Sequence, residues 1–303
     1  MQKKMKVTVI VVTYNGSKWV EECFGSLVNS SINLDIISID NNSKDNTVKL
    51  IREKYPKVKV IETGLNLGFG KANNIGFKIA MENNSDYIYL LNQDAWIEKN
   101  TIENLINIQL SNSSFGVLSP MQMNSQKIKI DKDLSILCGE KYCPGFISDL
   151  YNKNVKEVYQ ISSIMAAHWL ISKECALTIG GFAPIFKHYG EDDNYLHRAK
   201  YHGFHIGIAP NLKVVHDRED RKITFQAKIN GLIPTFIALS CDINYNLFKA
   251  TMYSSAVLIF QSVILFVHTR SLSVLLKPFF ALLKFRSIIM TRKISKRKGF
   301  LLI

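Results

Sequence analysis

Residues 7–16 read VTVIVVTYNG, an unbroken run of apolar and β-branched side chains that stops at a polar turn. Such a run without alternation is what a strand buried on both faces needs. The residues before it are basic, but the apolar part is too short for a secretory signal and lacks a small-residue cleavage site, so the expectation is a cytoplasmic chain. Working outward from this strand, the first 120 residues alternate short strand-like runs with helical patterns. A helix around 19–27 is followed by DIISID at 35–40, a helix from Thr47, VKVI at 58–61, a helix over 71–81 and YIYLL at 87–91. This alternation predicts an open α/β domain, a mostly parallel sheet flanked by helices. In such sheets ligands bind beyond the carboxyl ends of the strands, which singles out the residues just after each one.

Those residues are polar in all four cases. They are Thr13-Tyr14-Asn15-Gly16, Asp40-Asn41-Asn42-Ser43, the glycine-rich stretch 64–70, and Asn92-Gln93-Asp94. Each is also an ordinary turn or helix-cap composition, but four on one sheet edge outline a ligand crevice. Neither a GxxxxGK[ST] phosphate loop nor a dinucleotide fingerprint is present. Asp94, carried by an apolar strand, suits a divalent cation whose shell a bound diphosphate would complete. His216 follows Lys213-Val214-Val215 and is either structural or functional when taken alone. Glu191, Asp192 and Asp193 open a helix closed by Gly203, where acidic residues also favour the helix N-terminus. HIGIA and KVV, after Gly203, read as two short strands. From Gly116 to about Gln160 a strand precedes an irregular excursion that suits an acceptor site. Cys138 and Cys143, inside it, lack the spacing of a zinc site.

The chain has 303 residues, 47% of them hydrophobic, which is enough core for one large domain or two ordinary ones and excludes a disordered chain. Its five scattered cysteines point to a reducing compartment rather than a disulfide framework. The net charge of +13 is uneven: Asp242 is the last acidic residue, and ten Lys and Arg side chains follow it. Within that tail, 250–269 is uncharged and long enough to span a bilayer, although Ser254, Ser255, Gln261 and Ser262 give it a polar side. From 271 to 289 an apolar stripe runs beside Lys277 and Lys284, interrupted by Pro278, which is expected to kink or split the helix. An apolar stripe beside a basic one suits an in-plane helix on an anionic membrane surface, and the same leucine- and phenylalanine-rich content argues against nucleic acid.

In order, VTVIVVTYNG, IDNNSKDNT, NLGFGKANNIG, LLNQDA, WLISKECALTIGGF, YGEDDNYLHRAKYHGF and VVH resemble the family-2 glycosyltransferases of the GT-A fold, most of all their bacterial rhamnosyltransferase-like subgroup. The resemblance covers roughly residues 6–216. It implies a catalytic domain over 1–220, with a nucleotide-sugar half to about 120 and an acceptor half over 121–220, and a helical, basic amphipathic region over 221–303. It implies that Asp40 contacts the nucleotide, that Thr13, Tyr14 and Asn15 cup base and ribose, and that Asn66, Asn73 and Asn74 border the nucleotide and donor sugar. Asn92-Gln93-Asp94 stands where relatives carry the DxD motif, so Gln93 faces the donor and Asp94, with His216, holds Mn2+ or Mg2+. Asp192 matches the catalytic base, with Arg198 the motif's trailing arginine. Glu191, Asp193 and Trp169 are candidate acceptor contacts, Trp169 being equally explicable as a core residue. Two positions depart from the family pattern: Asn92 replaces the first aspartate of DxD, and Asn194 stands where many relatives have another acid, which leaves Asp193 as the alternative base, ranked after Asp192.

The resemblance thus implies an inverting transferase that moves one sugar, with dTDP-rhamnose as the donor it suggests, to a glycan or lipid-linked glycan at the inner face of the membrane. The alternative is a catalytically inactive, membrane-associated sugar- or nucleotide-binding scaffold of the same fold. Oligomeric state stays open.

Overall fold

The computed structural model describes residues 5–218 and 224–299. One nine-stranded sheet organises the first 216 residues. Its strands are β1 (Val7–Thr13), β2 (Leu34–Asp40), β3 (Lys59–Glu62), β4 (Tyr87–Asn92), β5 (Ala95–Trp96), β6 (Phe115–Met123), β7 (Tyr159–Gln160), β8 (His168–Ser172) and β9 (His205–His216). They lie in the order β3-β2-β1-β4-β8-β6-β9-β5, with β7 also on β9. The β3-β2-β1-β4 half is parallel, β8 runs antiparallel between β4 and β6, and β6 and β9 are parallel. The carboxyl ends of β1, β2, β4, β6 and β9 therefore meet the amino end of β8 along one edge.

Burial on both faces explains the unbroken apolar run of β1. Val7, Val9 and Val11 enter the core on one side, against Phe24 and Leu27 of the helix Val20–Val28, while Ile10 enters the other, against Phe77 of the helix Phe69–Glu82. HIGIA and KVV are not separate strands. They join in β9, whose pairing with β6 jumps from Pro120–Ala209 to Met121–Lys213, so Pro210, Asn211 and Leu212 form an irregular bulge inside one twelve-residue strand. WLIS, with the preceding His168, supplies β8 in the middle of the sheet.

The tail folds back on this domain. The expected boundary at 220 lies outside the described residues. Beyond it come helices Phe225–Ser240, Leu247–Thr269, Leu272–Leu275, Lys277–Leu282 and Phe285–Ser295. Pro278 does split the pattern, standing in the first turn of a new helix where its missing N–H has no intrahelical role. Ile229, Leu232, Phe236 and Ile288 share a core with Ala183 and Phe186 of the first domain. Arg292, one of the ten tail cations, is buried and donates to the carbonyls of Ser240 (2.8 Å), Asp242 (2.6 Å) and Tyr245 (2.5 Å), tying the last helix to the turn between the first two. Three carbonyls converging on one charged donor group leave little slack. Arg292→Ala should destabilise the protein by about 2–3 kcal/mol, with Arg292→Lys recovering only part, as measured by urea unfolding.

Candidate active site

The first and second strand ends are knitted together by Asp40. Its carboxylate accepts from Thr13 Oγ1 (2.9 Å), Ser43 Oγ (2.6 Å) and Ser43 N (2.8 Å), and is only 1% exposed. Asn15, at φ 47°, accepts from Lys44 N (2.7 Å) while its own N–H donates to Ser43 Oγ (2.9 Å). Tyr14 is left exposed at the mouth, with its backbone held by Gln93 in both directions: Tyr14 N donates to Gln93 Oε1 (2.9 Å) and Gln93 Nε2 donates to Tyr14 O (3.1 Å). The Gln93 amide thus joins the β1 and β4 loops, while the residue itself stands in the crevice wall where a donor contact is expected of it.

The glycine-rich stretch forms the far wall. Asn66 is exposed and accepts from Gly68 N (2.9 Å), shaping the loop at the helix entrance. Gly68 has φ +79°, and a Cβ there would meet Lys187 O at 2.3 Å, so only glycine lets the 187–188 loop approach. Asn73 and Asn74 do not face the crevice. Asn73 is buried and donates to Phe69 O (3.0 Å), and Asn74 brackets Phe182, accepting from its N–H (2.7 Å) and donating to its carbonyl (2.9 Å). Both asparagines brace the packing behind the crevice, because the helical turn points them into the sheet rather than along its edge.

The resulting crevice encloses about 570 Å3, with Tyr14, Asn66, Asp94, Lys71, Lys187 and His188 among its walls. The last three carry basic groups that a diphosphate would meet, and motif reading overlooked them because lone basic residues on loops have no spacing signature. At the inner end, His216 Nε2 lies 3.7 Å from Asp94 Oδ1, and its Nδ1 lies 3.7 Å from Asp131 Oδ2. Asp131 was hidden in the irregular excursion. It caps the helix Lys132–Leu137 through Oδ1, which accepts from Asp133 N (2.9 Å) and Leu134 N (3.1 Å), leaving Oδ2 for the histidine. At 3.7 Å this carboxylate is a charged neighbour of the ring rather than a hydrogen-bond partner. Among the described residues no three His, Cys, Asp or Glu side chains form a complete metal cage. Asp94, in the crevice wall, and His216 beside it carry an oxygen and a nitrogen donor 3.7 Å apart, a set that fits a cation whose shell a diphosphate would complete.

A second cavity of about 250 Å3 adjoins the helix Glu191–Tyr201, its walls including Ile136, Ile164, Met165, Ser163, Asp192 and Asp193. Gly190, in the left-handed region at φ +85°, starts that helix. Burial, reinforced by the charges of Asp193 and Glu191, raises the Asp192 carboxyl to about 7. Asp193 is exposed and accepts from Ser163 Oγ (2.9 Å). Glu191 is 6% exposed and does not line this cavity, and burial raises its carboxyl too. Arg198 is also interior, donating to Ile179 O (3.0 Å) and Gly181 O (2.5 Å), which holds the turn that brings Phe182 under the site.

Trp169 is fully buried and stacks on Phe182, with ring centroids 6.4 Å apart, so the acceptor contact expected of it is replaced by a core role. The alternation of β8 turns its ring inward. Beside it His168 bonds Tyr89 Oη (3.0 Å) and Val215 O (2.9 Å), and burial lowers it to about 3, keeping the ring neutral.

Comparison with known proteins gives a consistent likeness. The model of Glycosyl transferase family 2 matches residues 8–138, the stretch that carries most of the crevice walls, Lys187 and His188 excepted. A dTDP-rhamnosyl transferase of Shigella flexneri is 24% identical over 222 residues, covering 72% of this chain and 71% of that one. A poly(ribitol-phosphate) β-glucosyltransferase of Bacillus spizizenii is 30% identical over 117 residues, 36% of this chain. The chain spans 18% of that relative's length, and less than half the length of other curated relatives it matches at similar identity. In structure, the Pyrobaculum calidifontis mannosyltransferase solved with GDP-Man and Mn2+ has the same fold at a TM-score of 0.61 and 17% identity, over 97% of this chain and 85% of that one.

The burial of Trp169 yields a prediction. Trp169→Ala should cost about 3–5 kcal/mol of stability by urea unfolding, whereas Trp169→Phe should leave acceptor KM unchanged.

Proposed function

We propose that this chain is an inverting glycosyltransferase that moves a single sugar from a nucleoside-diphosphate donor to a hydroxyl of a lipid-linked glycan at the cytoplasmic face of the membrane. One observation carries the reading: a carboxylate raised to about 7, Asp192, lines a cavity apart from the crevice that holds the Asp94–His216 pair. Inverting transfer needs one base on the acceptor side and charge stabilisation on the leaving-group side. The Shigella relative suggests dTDP-rhamnose as donor, and the Mn2+ in the mannosyltransferase complex is consistent with a divalent ion, Mn2+ or Mg2+.

In the proposed step the acceptor oxygen attacks the anomeric carbon as its proton passes to an Asp192 carboxylate oxygen. The bond from that carbon to the phosphate oxygen breaks, and the nucleoside diphosphate departs with the electron pair. No acid is needed to protonate so stable an anion, unlike glycoside hydrolysis. Asp40, Thr13 and Asn15 hold the loops that receive the nucleoside, Tyr14 offers a ring at the mouth, and Lys71 and Lys187 face the diphosphate. Asp94 and His216 would hold the cation, which supplies Lewis-acid stabilisation of the leaving group when bound.

A base near 7 predicts a pH limb. The rate should rise through about pH 7 and level above it, and Asp192→Asn should lower kcat about 100-fold or more while donor binding persists. The same group has a stability signature of definite sign. A carboxyl with a raised folded-state value binds its proton more tightly folded than unfolded, so it opposes folding increasingly as pH rises from about 4 to about 7. Asp192→Asn should therefore be more stabilising relative to wild type at pH 8 than at pH 4.

Donor binding is tested by titration calorimetry with UDP, dTDP and GDP, with and without Mn2+ or Mg2+. Metal-dependent binding of one nucleotide that Asp94→Ala removes supports the proposal. Binding without any transfer to lipid-linked acceptors favours the inactive scaffold of the same fold.

A further inference from the structure

The C-terminal helices bury small and polar side chains while leaving large apolar ones outside. In the helix Leu247–Thr269 the buried residues are Ala250, Ser254, Leu258, Ser262 and Leu265, one stripe at helical spacing, with Ser254 Oγ 2.6 Å from Ser240 Oγ of the preceding helix. The outward face carries Phe260, 67% exposed, and the adjoining helix adds Phe279 at 68%, with Leu283 beyond it at 77%. Large apolar side chains gathered on packed, touching helices mark an interaction surface rather than a solvated one.

Charge selects the occupant. Lys249, Arg270, Lys284, Arg286 and Lys293 are exposed along these same helices, Lys277 is half-buried, and no acidic residue follows Asp242. A second copy of this chain would bring like charges together, whereas anionic headgroups would neutralise them while the acyl region takes the phenylalanines and leucines. We propose that this face lies flat on an anionic bilayer, with helix 247–269 in the plane of the interface and not across it. Although that helix is long and apolar enough to span, crossing would strip Ser254 and Ser262 from their buried setting. It would otherwise drag in the packed helix Phe225–Ser240, with exposed Lys228 and Asn230.

The inner side of the same layer packs on the loop before the catalytic helix. Phe186 and Ala183 share its core, and a Cβ at Gly190 would sit 3.1 Å from Ala238 Cβ. A docked layer would thus hold the acceptor cavity at a set orientation to the lipid surface, a consequence that rests on the glycan-transfer reading above.

The test is co-sedimentation of the full chain with phosphatidylcholine vesicles, with and without phosphatidylglycerol. Salt-sensitive binding to the anionic vesicles is expected. Lys277→Gln with Lys284→Gln should weaken it about 25-fold. Phe260→Glu with Phe279→Glu should abolish it while leaving nucleotide binding in the calorimeter unchanged. Vesicle binding that survives both double variants overturns the proposal. So does a dimer in light scattering that the glutamates dissolve without any vesicle binding. Brominated lipids should quench Phe260→Trp fluorescence only from shallow positions, and quenching from the bilayer centre overturns the in-plane arrangement. Nucleotide binding absent with vesicle binding intact would sink the donor reading and support this one.

Discussion

The parallel, in-register pairing of β1 with β2 on one side and β4 on the other is the constraint on which the rest depends. Thr13 pairs with Asp40 and Val12 with Asn92, so three chain segments leave the sheet at one level and turn outward together. Polar side chains at that level have no strand to enter and must bond one another or solvent. The Asp40 cluster and the Gln93–Tyr14 pair are the result: residues 27 and 79 positions apart in sequence become neighbours because their strands end side by side. The walls of the crevice therefore inherit the rigidity of the sheet.

That rigidity lets the chain hold charge in unfavourable places. The Asp192 carboxyl, beside two more carboxylates, is held above its ordinary value by burial and by their charges, which opposes folding as pH rises. His216 is treated differently. Asp131 and Asp94 each place a carboxylate oxygen 3.7 Å from one of its ring nitrogens. Asn92, in place of a DxD aspartate, removes one charge from the crevice, and the contacts of His216 show where the remaining charge is concentrated. The two clusters thus differ: Asp192 stands among like charges, whereas His216 stands between two carboxylates.

The tail belongs to this economy of burial rather than hanging from it. Its helices complete the core around Phe186, and Arg292 holds them as one layer, yet their apolar side chains outnumber what that core can take. A helix whose serines are sheltered and whose phenylalanines face out has the opposite arrangement from a surface helix in water. The excess makes physical sense beside a surface that is itself apolar.

The strand–helix alternation and the sheet edge bearing the polar turns were legible in the sequence, because period, β-branching and strand-end position are local properties. Direction was not. The inward turn of Asn73, Asn74 and Trp169, and the bracing roles of Gln93 and Arg198, depend on which face of an element meets the sheet. Asp131 and Lys187 joined the site only through contacts with segments distant in the chain, from loops whose local pattern carries no signal. The joining of HIGIA and KVV needed the neighbouring strand β6 to absorb a bulge. In the tail the sequence determined that polar and apolar side chains recur at helical spacing, and tertiary packing alone decided that Ser254 and Ser262 are buried while Gln261 and Phe260 face out. The physical reason is the same throughout: periodicity determines which residues share a face, but only the partner that covers a face determines which way it points.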